Sequence, residues 1–295
     1  MPHSVYLKLV GVAALWGGTF IAGRWIAAAV PHFTLAALRF WAAFLVLAPL
    51  LWWQQRHWPS FRPRDWAFAC GLALSGLVLY NLFFFGALER ISASRTALVV
   101  ALNPVLTAML LALVLRQPLE LHQWLGIITA LLGVSIVLAK GDLLAITARM
   151  TYGEWLMIGG ALCWAVYSLI GRDALRGEQA PSSLALTTLT TLCGALMLSL
   201  GIPFEWSEWQ LAELGWDVWA GILYLGVGGT ALAFVWYADG LRAIGPARTT
   251  VFNNLVPVFG VIFGSLLLRE PVLTSMWIGG LVALVGISLT NWTRR

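Results

Sequence analysis

Two cations lie inside long apolar segments of the 295-residue chain, Arg24 and Arg39. A charged side chain in such a segment is costly, and it commonly marks a solute pathway, where it can bind a carboxylate of the solute. The alternative is structural, because arginine also binds backbone carbonyls or extends its stem to the edge of the apolar region. The sequence leaves both interpretations open for Arg24 and for Arg39.

Aromatic and amide side chains form a second group of candidates. Trp16 and Trp164 lie near the middle of two apolar segments, and Asn81 follows Tyr80 in a third. Indole N–H and amide groups need hydrogen-bond partners in apolar surroundings, so they either line a cavity for a neutral or zwitterionic solute or bond between helices. The candidate cavity residues are Trp16, Tyr80, Asn81, Phe84, Trp164, Tyr167, Trp236, Tyr237, Asn253 and Asn254.

Two prolines, Pro104 and Pro257, lie centrally in the apolar stretches VALNPVLTA and FNNLVPVFG. A proline in a helix interior removes one backbone hydrogen bond and bends the helix. The freed carbonyl must be satisfied nearby, and Asn103, Asn253 and Asn254 lie close enough to do so. We interpret the two prolines as hinges, because they occupy equivalent positions in a repeat described below; a static kink is the alternative.

Patterns typical of catalysis or metal binding are absent from the sequence. No nucleophile has a base at a useful spacing, and the three cysteines include no C-x-x-C pair. No two of the four histidines have metal-ligand spacing. They are His3, His32, His57 and His122. We therefore expect no enzyme activity, no metal and no cofactor.

Composition places these side chains in a membrane. The chain is 60% hydrophobic and 11% charged, with a mean hydropathy of +0.83, whereas soluble domains carry about 25% charged residues. Apolar runs of roughly 20 residues span a bilayer. The net charge of +5 includes no basic run, so a bilayer, and not nucleic acid, is the expected partner. The ten predicted spans are 6–30, 33–53, 66–88, 93–115, 121–139, 153–173, 181–202, 215–240, 247–268 and 274–292.

The breaks between the spans predict orientation and coupling. Eleven Lys and Arg residues fall on one side of the ten-span arrangement and five on the other. Because the positive side faces the cytoplasm, we expect both termini in the cytoplasm of a bacterial inner membrane. No carboxylate lies deep in a span; Glu89, Asp173 and Asp239 are near span ends. Since an intramembrane carboxylate is the usual proton relay, transport without proton coupling is expected.

The sequence repeats itself. LVLRQPLELHQWLGIITALLGVSIV at 113–137 matches LLLREPVLTSMWIGGLVALVGISLT at 266–290, and GVAALWGGTFIAGR at 11–24 matches GGALCWAVYSLIGR at 159–172. The first copy covers 6–139 and the second covers 153–292, with five predicted spans each. Because five is odd, the second copy must enter the membrane from the opposite side, which predicts an inverted repeat around a central cavity, as in many secondary transporters.

Several of these elements resemble the EamA family of the drug/metabolite transporter superfamily. They are the early W-x6-GR from Trp16 to Arg24, the mid-span prolines, and LLREP…WIGGLVALVGI before the last span. Within the family the chain is similar to YddG-type exporters of aromatic and other amino acids. The resemblance implies a cavity enclosed by spans 1–4 and 6–9, with spans 5 and 10 at the periphery. Proton-driven small multidrug exporters, which are distant relatives, use a glutamate in their first span, where this chain has only Arg24.

The expected function is export of small organic metabolites, foremost aromatic and other neutral amino acids, by alternating access. Other metabolites or drugs of the superfamily are the alternative cargo, and a receptor or scaffold without flux is the alternative class. A carrier of phosphorylated metabolites requires clustered basic side chains, but the only lysines, Lys8 and Lys140, lie at breaks. The sequence is compatible with a monomer and leaves the oligomeric state open.

Overall fold

The computed structural model describes residues 2–100, 102–114, 120–138, 150–175, 179–205, 214–244 and 252–290. These residues form helices and the turns that connect them and contain no strand, which confirms the all-helical prediction for this part of the chain. A one-turn helix, Ile202–Glu205, and a 3-10 turn, Phe252–Leu255, accompany the main helices. The main helices are α1 Pro2–Ile26, α2 His32–Gln55, α3 Pro63–Arg90, α4 Ala93–Val100, α5 Asn103–Val114, α6 Leu121–Leu138, α7 Tyr152–Ala174, α8 Ser183–Ser199, α9 216–244, α10 Val256–Leu267 and α11 Thr274–Thr290.

The helices have the length and the surface of a multi-pass membrane protein. Segments of α1, α2, α3, α7 and α9 are long and apolar enough to cross a bilayer, and α6, α8, α10 and α11 contain shorter apolar helices. Large apolar side chains face outward on these helices, as expected where lipid replaces water. Examples are Leu121, Leu266 and Leu281, which are 62–75% exposed. The core includes Phe84, Phe85 and Met157.

Local sequence explains where several helices begin. Pro63 opens α3, where its missing N–H costs nothing, and the Arg62 N–H donates to Asp65 Oδ2 at 2.9 Å. At α7, the Thr151 N–H donates to Glu154 Oε2 at 2.8 Å. The third residue of each helix thus binds back to the residue before it, as in a capping box.

The two prolines begin helices, which corrects the expectation that they lie in helix interiors. Pro104 is the second residue of α5, after α4 has ended at Val100. Pro257 is in the first turn of α10, immediately after the 3-10 turn Phe252–Leu255. A first-turn N–H has no partner within its helix, so proline fits there without losing a bond. Both prolines therefore lie in the first turn of a helix, at equivalent points of the two copies.

Two π-helical segments also lie at equivalent points. Ala73–Leu79 interrupts α3 and Tyr224–Leu232 interrupts α9. Each segment contains a glycine that faces a helix of the other copy. A Cβ on Gly76 would lie 2.2 Å from the Tyr167 ring, and a Cβ on Gly229 would lie 2.5 Å from Thr19 Cγ2. Both contacts require glycine, because no Cβ fits at these distances.

The last helices of the two copies, α6 and α11, pack backbone to backbone. A Cβ on Gly133 would lie 2.6 Å from the Gly279 oxygen, and a Cβ on Gly286 would lie 2.6 Å from the Gly126 oxygen. Gly126 and Gly133 are seven residues apart, about two helical turns, and therefore share one face. The later glycine of each helix contacts the earlier glycine of the other, so α6 and α11 are antiparallel.

Candidate functional site

Arg39 of α2 lies between helices of both copies. Its Nη1 donates to Asn81 Oδ1 of α3 at 2.9 Å, and its Nε donates to Thr230 Oγ1 of α9 at 3.3 Å. Its Cζ atom lies 5.3 Å from the centroid of the Phe40 ring. Asn81 and Thr230 are each 2% exposed, whereas Arg39 keeps part of its surface accessible. The site is therefore a cation held by neutral groups at the junction of three helices.

Both partners of Arg39 are fixed by the π-helical segments. The Asn81 amide nitrogen donates to the Leu77 oxygen at 2.8 Å, which leaves Oδ1 directed at the guanidinium. The Thr230 hydroxyl donates to the Leu225 oxygen, five residues earlier, at 2.9 Å, so its oxygen can accept from Arg39. A π-helix leaves carbonyls out of the regular α-helical pattern and is frequent at functional sites. Here those carbonyls orient the two side chains that bind the cation.

The charge of Arg39 has no counter-ion among the described residues. No carboxylate there forms an ion pair with it, and its Nη2 forms no hydrogen bond within the same ranges. A cation in an apolar interior is stable only when its donors are bound. Nη2 is therefore chemically suited to an anionic oxygen, and a carboxylate is its preferred planar partner.

Three aromatic rings next to Asn81 form a group that we call the aromatic wall: Tyr80, Trp164 and Tyr167. The ring centroids of Tyr80 and Trp164 are 5.3 Å apart, those of Trp164 and Tyr167 are 4.9 Å apart and stacked, and those of Tyr80 and Phe84 are 5.8 Å apart and stacked. Tyr80, Trp164 and Tyr167 remain partly accessible, while Phe84 is buried behind them. The sequence predicted these residues as cavity residues, and the structure brings them together with Asn81.

The second tryptophan, Trp16, belongs to a different group. Its Nε1 donates to the Gly229 oxygen at 3.0 Å, and its ring lies 5.5 Å from Tyr237 and 5.9 Å from Phe234. Asn253 lies in the 3-10 turn Phe252–Leu255 before α10. Trp16 and Trp164 are equivalent in the repeat, but the indole N–H of Trp16 is occupied by a backbone carbonyl. This group fastens α1 to α9.

The remaining sequence candidates are apart from Arg39. The Arg24 guanidinium donates to the Leu88 backbone oxygen near the end of α3, which is the structural alternative considered for it. Trp236 packs over Gly11, whose Cβ would lie 2.7 Å from the indole ring. The side chains of Asn254 and Pro104 lie outside the described set.

Sequence reasoning missed Thr230. It stands in the glycine-rich stretch GVGGT, where a threonine carries no charge or motif to mark it. Its contact with Arg39 joins residues 191 positions apart. The sequence feature that could have identified it is the hydroxyl of Thr230 itself, in a segment otherwise rich in glycine and aliphatic residues.

Comparison with known proteins gives a consistent result. A family model described as "EamA-like transporter family" matches residues 3–139 and again residues 151–292. The "Uncharacterized transporter YyaM" of Bacillus subtilis is 28% identical over 97% of this chain and 93% of its own length. An "Uncharacterized transporter" of Archaeoglobus fulgidus is 27% identical over 99% of this chain and 98% of its own length.

A solved structure supports the fold. The chain described as "Crystal structure of protein" superposes with a TM-score of 0.69 over 97% of this chain and 95% of the solved chain. The two sequences are 22% identical, so the likeness concerns the fold alone.

Proposed function

The chain belongs to the EamA-like transporter family, and we propose that it exports small amphiphilic metabolites, foremost neutral amino acids with aromatic or apolar side chains. Its relatives are named as transporters, and its helices are those of a multi-pass membrane protein. Membership of a transporter family also agrees with the expectation that the chain is not an enzyme. Family membership does not define the cargo or the transport mechanism, so the proposal for both is argued from the residues around Arg39.

The observation that carries the proposal is the uncompensated charge of Arg39. A solute carboxylate that binds the Nη2 side of the guanidinium would complete its hydrogen bonding and neutralise its charge. A charge-assisted hydrogen bond of this kind is worth about 1.5–3 kcal/mol. A solute without an anionic group would leave the guanidinium as it is, so this geometry favours carboxylates.

The aromatic wall supports the proposal that the cargo carries an aromatic or apolar side chain. Tyr80 is adjacent in sequence to Asn81, the Nη1 partner of Arg39, and Trp164 continues the wall from Tyr80 to Tyr167. An apolar or aromatic side chain of an amino acid whose carboxylate binds Arg39 could pack on these rings. Each aromatic contact adds about 0.5–1.5 kcal/mol beyond the area that it buries.

For the architecture, we propose ten spans in two inverted five-helix copies, 6–139 and 153–292, around a central cavity. The two separate matches to one family model support the two copies. The crosswise contacts of Gly126 with Gly286 and of Gly133 with Gly279 are those expected from a two-fold axis in the membrane plane. In this arrangement α4 and α5 form one span, with Pro104 in the first turn of α5.

We further propose alternating access without proton coupling, with both termini in the cytoplasm and export as the net direction. The helix starts at Pro104 and Pro257 give each copy a point at which half of a span could move. The carboxylates buried in the described ranges, Asp65 and Glu154, lie in the first turns of α3 and α7 and are paired with Arg62 and Arg95. Neither carboxylate is paired with Arg39, so neither could relay a proton to or from a solute bound there.

Transport by the purified protein tests the cargo. The protein is reconstituted into liposomes, and uptake of a labelled aromatic amino acid is measured against protein-free liposomes and against unlabelled competitors. Competitors include neutral and charged amino acids, phosphorylated metabolites and neutral drugs. We expect saturable uptake that neutral amino acids inhibit. Uptake that responds only to phosphorylated metabolites or drugs would disprove the amino-acid proposal, and the absence of flux for every solute would favour a receptor or scaffold.

A further inference from the structure

Glu205, which follows α8, binds the first turn of α2. Its carboxylate accepts from the backbone N–H groups of Phe33 and Thr34 and from the Thr34 hydroxyl, each at 2.9 Å. Thr34 is 1% exposed. A carboxylate at a helix N-terminus is favoured by the free N–H groups and by the helix dipole. The contact joins the second copy to the first, because Glu205 lies in 153–292 and Thr34 lies in 6–139.

Glu270 makes the same kind of contact with α4. Its carboxylate accepts from the N–H groups of Ala93 and Ser94 at 2.8 and 3.0 Å and from the Ser94 hydroxyl at 2.7 Å. Arg269, in the left-handed region at φ 52°, turns the chain after α10 so that Glu270 comes back to α4. Gly264 makes room, since a Cβ there would lie 2.4 Å from Ser94 Oγ.

Both contacts lie at the same end of the bundle, which we call the Glu205 end. His32 at the start of α2 contacts Glu89 at the end of α3, with 2.9 Å between Nε2 and Oε1. Arg95 at the start of α4 pairs with Glu154 at the start of α7, with 2.8 Å between Nη2 and Oε1. At this end, carboxylates thus bind the first turns of α2 and α4, and Glu154 also joins the start of α7 to α4.

The opposite end of the same helix pair, the Gln55 end, has a neutral counterpart. Gln55, the last residue of α2, donates through Nε2 to the hydroxyl of Ser182, the N-cap of α8, at 3.5 Å. The geometry is reciprocal, since in each case a residue at or after a helix end contacts the first turn of the antiparallel partner. An amide at this distance binds weakly, whereas a carboxylate that accepts three hydrogen bonds binds strongly.

We propose that Glu205 and Glu270 are positioning residues that hold the Glu205 end closed, and that the Glu205/Gln55 difference favours the state open at the Gln55 end. The inference rests on the alternating access of the proposed function. Opening at the Glu205 end must separate the carboxylates from the first turns of α2 and α4. Opening at the Gln55 end breaks only the neutral Gln55–Ser182 contact of the α2–α8 pair. The charged contacts of Arg62 with Gln179 and of Lys8 with Asp239 at that end are made by other helices and stay the same in every variant tested below.

Distances between spin labels at the two ends test the inference without any substrate. Labels at Ala29 and Leu200, both exposed, report the Glu205 end; labels at Gln54 and Leu175, also exposed, report the Gln55 end. The three native cysteines are first replaced, and each label pair is measured in lipid nanodiscs. The fraction of molecules with the long distance at each end gives the balance between the two open states.

Three substitutions probe that balance. Glu205→Gln should raise the long-distance population at the Glu205 end about tenfold relative to the short one, with the opposite change at the Gln55 end. Gln55→Glu should shift both label pairs in the reverse direction, because it supplies a carboxylate to Ser182. Glu270→Gln should act like Glu205→Gln and serves if the latter does not fold. Glu120→Gln, a change at an exposed carboxylate in neither contact, is the control.

The outcomes separate the two proposals. An unchanged balance in Glu205→Gln and Glu270→Gln, or a shift of Gln55→Glu in the same direction as Glu205→Gln, would overturn the positioning role while two populations still supported alternating access. A single distance at both ends in every variant would overturn alternating access and the positioning role together.

Discussion

Arg39 Nη1 donates to Asn81 Oδ1 over 2.9 Å, which joins α2 to α3 through a charge with no carboxylate partner in the described residues. The Asn81 amide is itself held by the Leu77 carbonyl, so its oxygen is presented to the guanidinium without rearrangement. On α9, the Thr230 hydroxyl is likewise held by the Leu225 carbonyl and accepts from Arg39 Nε. The arrangement fixes the guanidinium before the proposed cargo binds, which would reduce the ordering that binding requires.

The contact between α6 and α11 makes a stability prediction. A Cβ on Gly133 would lie 2.3 Å from the Ala283 nitrogen and 2.6 Å from the Gly279 oxygen, both rigid backbone atoms. We expect Gly133→Ala to cost about 1–3 kcal/mol through overpacking and to lower the thermal unfolding midpoint in detergent. Gly71→Ala is the matched control, because its Cβ would meet only the Ile170 side chain at 3.6 Å. Equal midpoints for the two variants would contradict the close packing.

The aromatic wall predicts a change in cargo preference. Trp164→Ala removes the ring between Tyr80 and Tyr167, so KM for aromatic amino acids should rise about 2- to 10-fold. KM for alanine, which has no ring to stack, should change little. Trp16→Phe is the comparison, because Trp16 uses its N–H on the Gly229 carbonyl; it should lower thermal stability and leave cargo preference intact. A proportional rise of KM for all solutes in Trp164→Ala would argue against stacking on the cargo.

The change from a 3-10 turn to an α-helix just before Pro257 predicts a kinetic effect. With alanine at this position, the Phe252–Leu255 turn and α10 could join into a continuous helix. We expect Pro257→Ala to slow transport with little loss of folded protein, as measured by initial uptake rates and by the monodisperse yield. Transport at the rate of the unmodified protein would show that the break is static.

The positions of the carboxylates predict independence from a pH gradient. The buried carboxylates of the described ranges are tied into helix starts, Asp65 with Arg62 and Glu154 with Arg95. At a fixed amino-acid gradient, flux into liposomes should therefore be the same with and without an imposed pH difference. Flux that follows the pH gradient in sign and size would require proton coupling.

Hydropathy predicted the all-helical, apolar character of the described residues because it depends on local sequence. Apolar length marks a span, and the seven-residue glycine spacing in α6 and α11 marks a face on which helices pack closely. The sequence placed Pro104 and Pro257 in helix interiors as hinges, whereas both lie in the first turn of a helix, because the position of a proline alone does not distinguish a bend from a new helix start. That distinction depends on where the preceding helix ends.

The site was only partly predictable because its contacts are long-range. Asn81 and the aromatic residues stand out by type in an apolar run, whereas Thr230 meets Arg39 only through the packing of α9 on α2. Glu205 and Glu270 were overlooked because a carboxylate in a hydrophilic break resembles a solvated one. Their partners, the first turns of α2 and α4, are distant in sequence.

Recognition of a carboxylate by Arg39 is the central claim, and matched competitors test it most directly. Uptake of a labelled aromatic amino acid into liposomes is inhibited with the same amino acid and with its decarboxylated amine, for the unmodified protein, Arg39→Gln and Arg24→Gln. We predict that the amine competes at least about 10-fold more weakly than the amino acid in the unmodified protein and in Arg24→Gln. In Arg39→Gln this discrimination should disappear. Equal competition by the amine in the unmodified protein, or full discrimination in Arg39→Gln, would contradict the account.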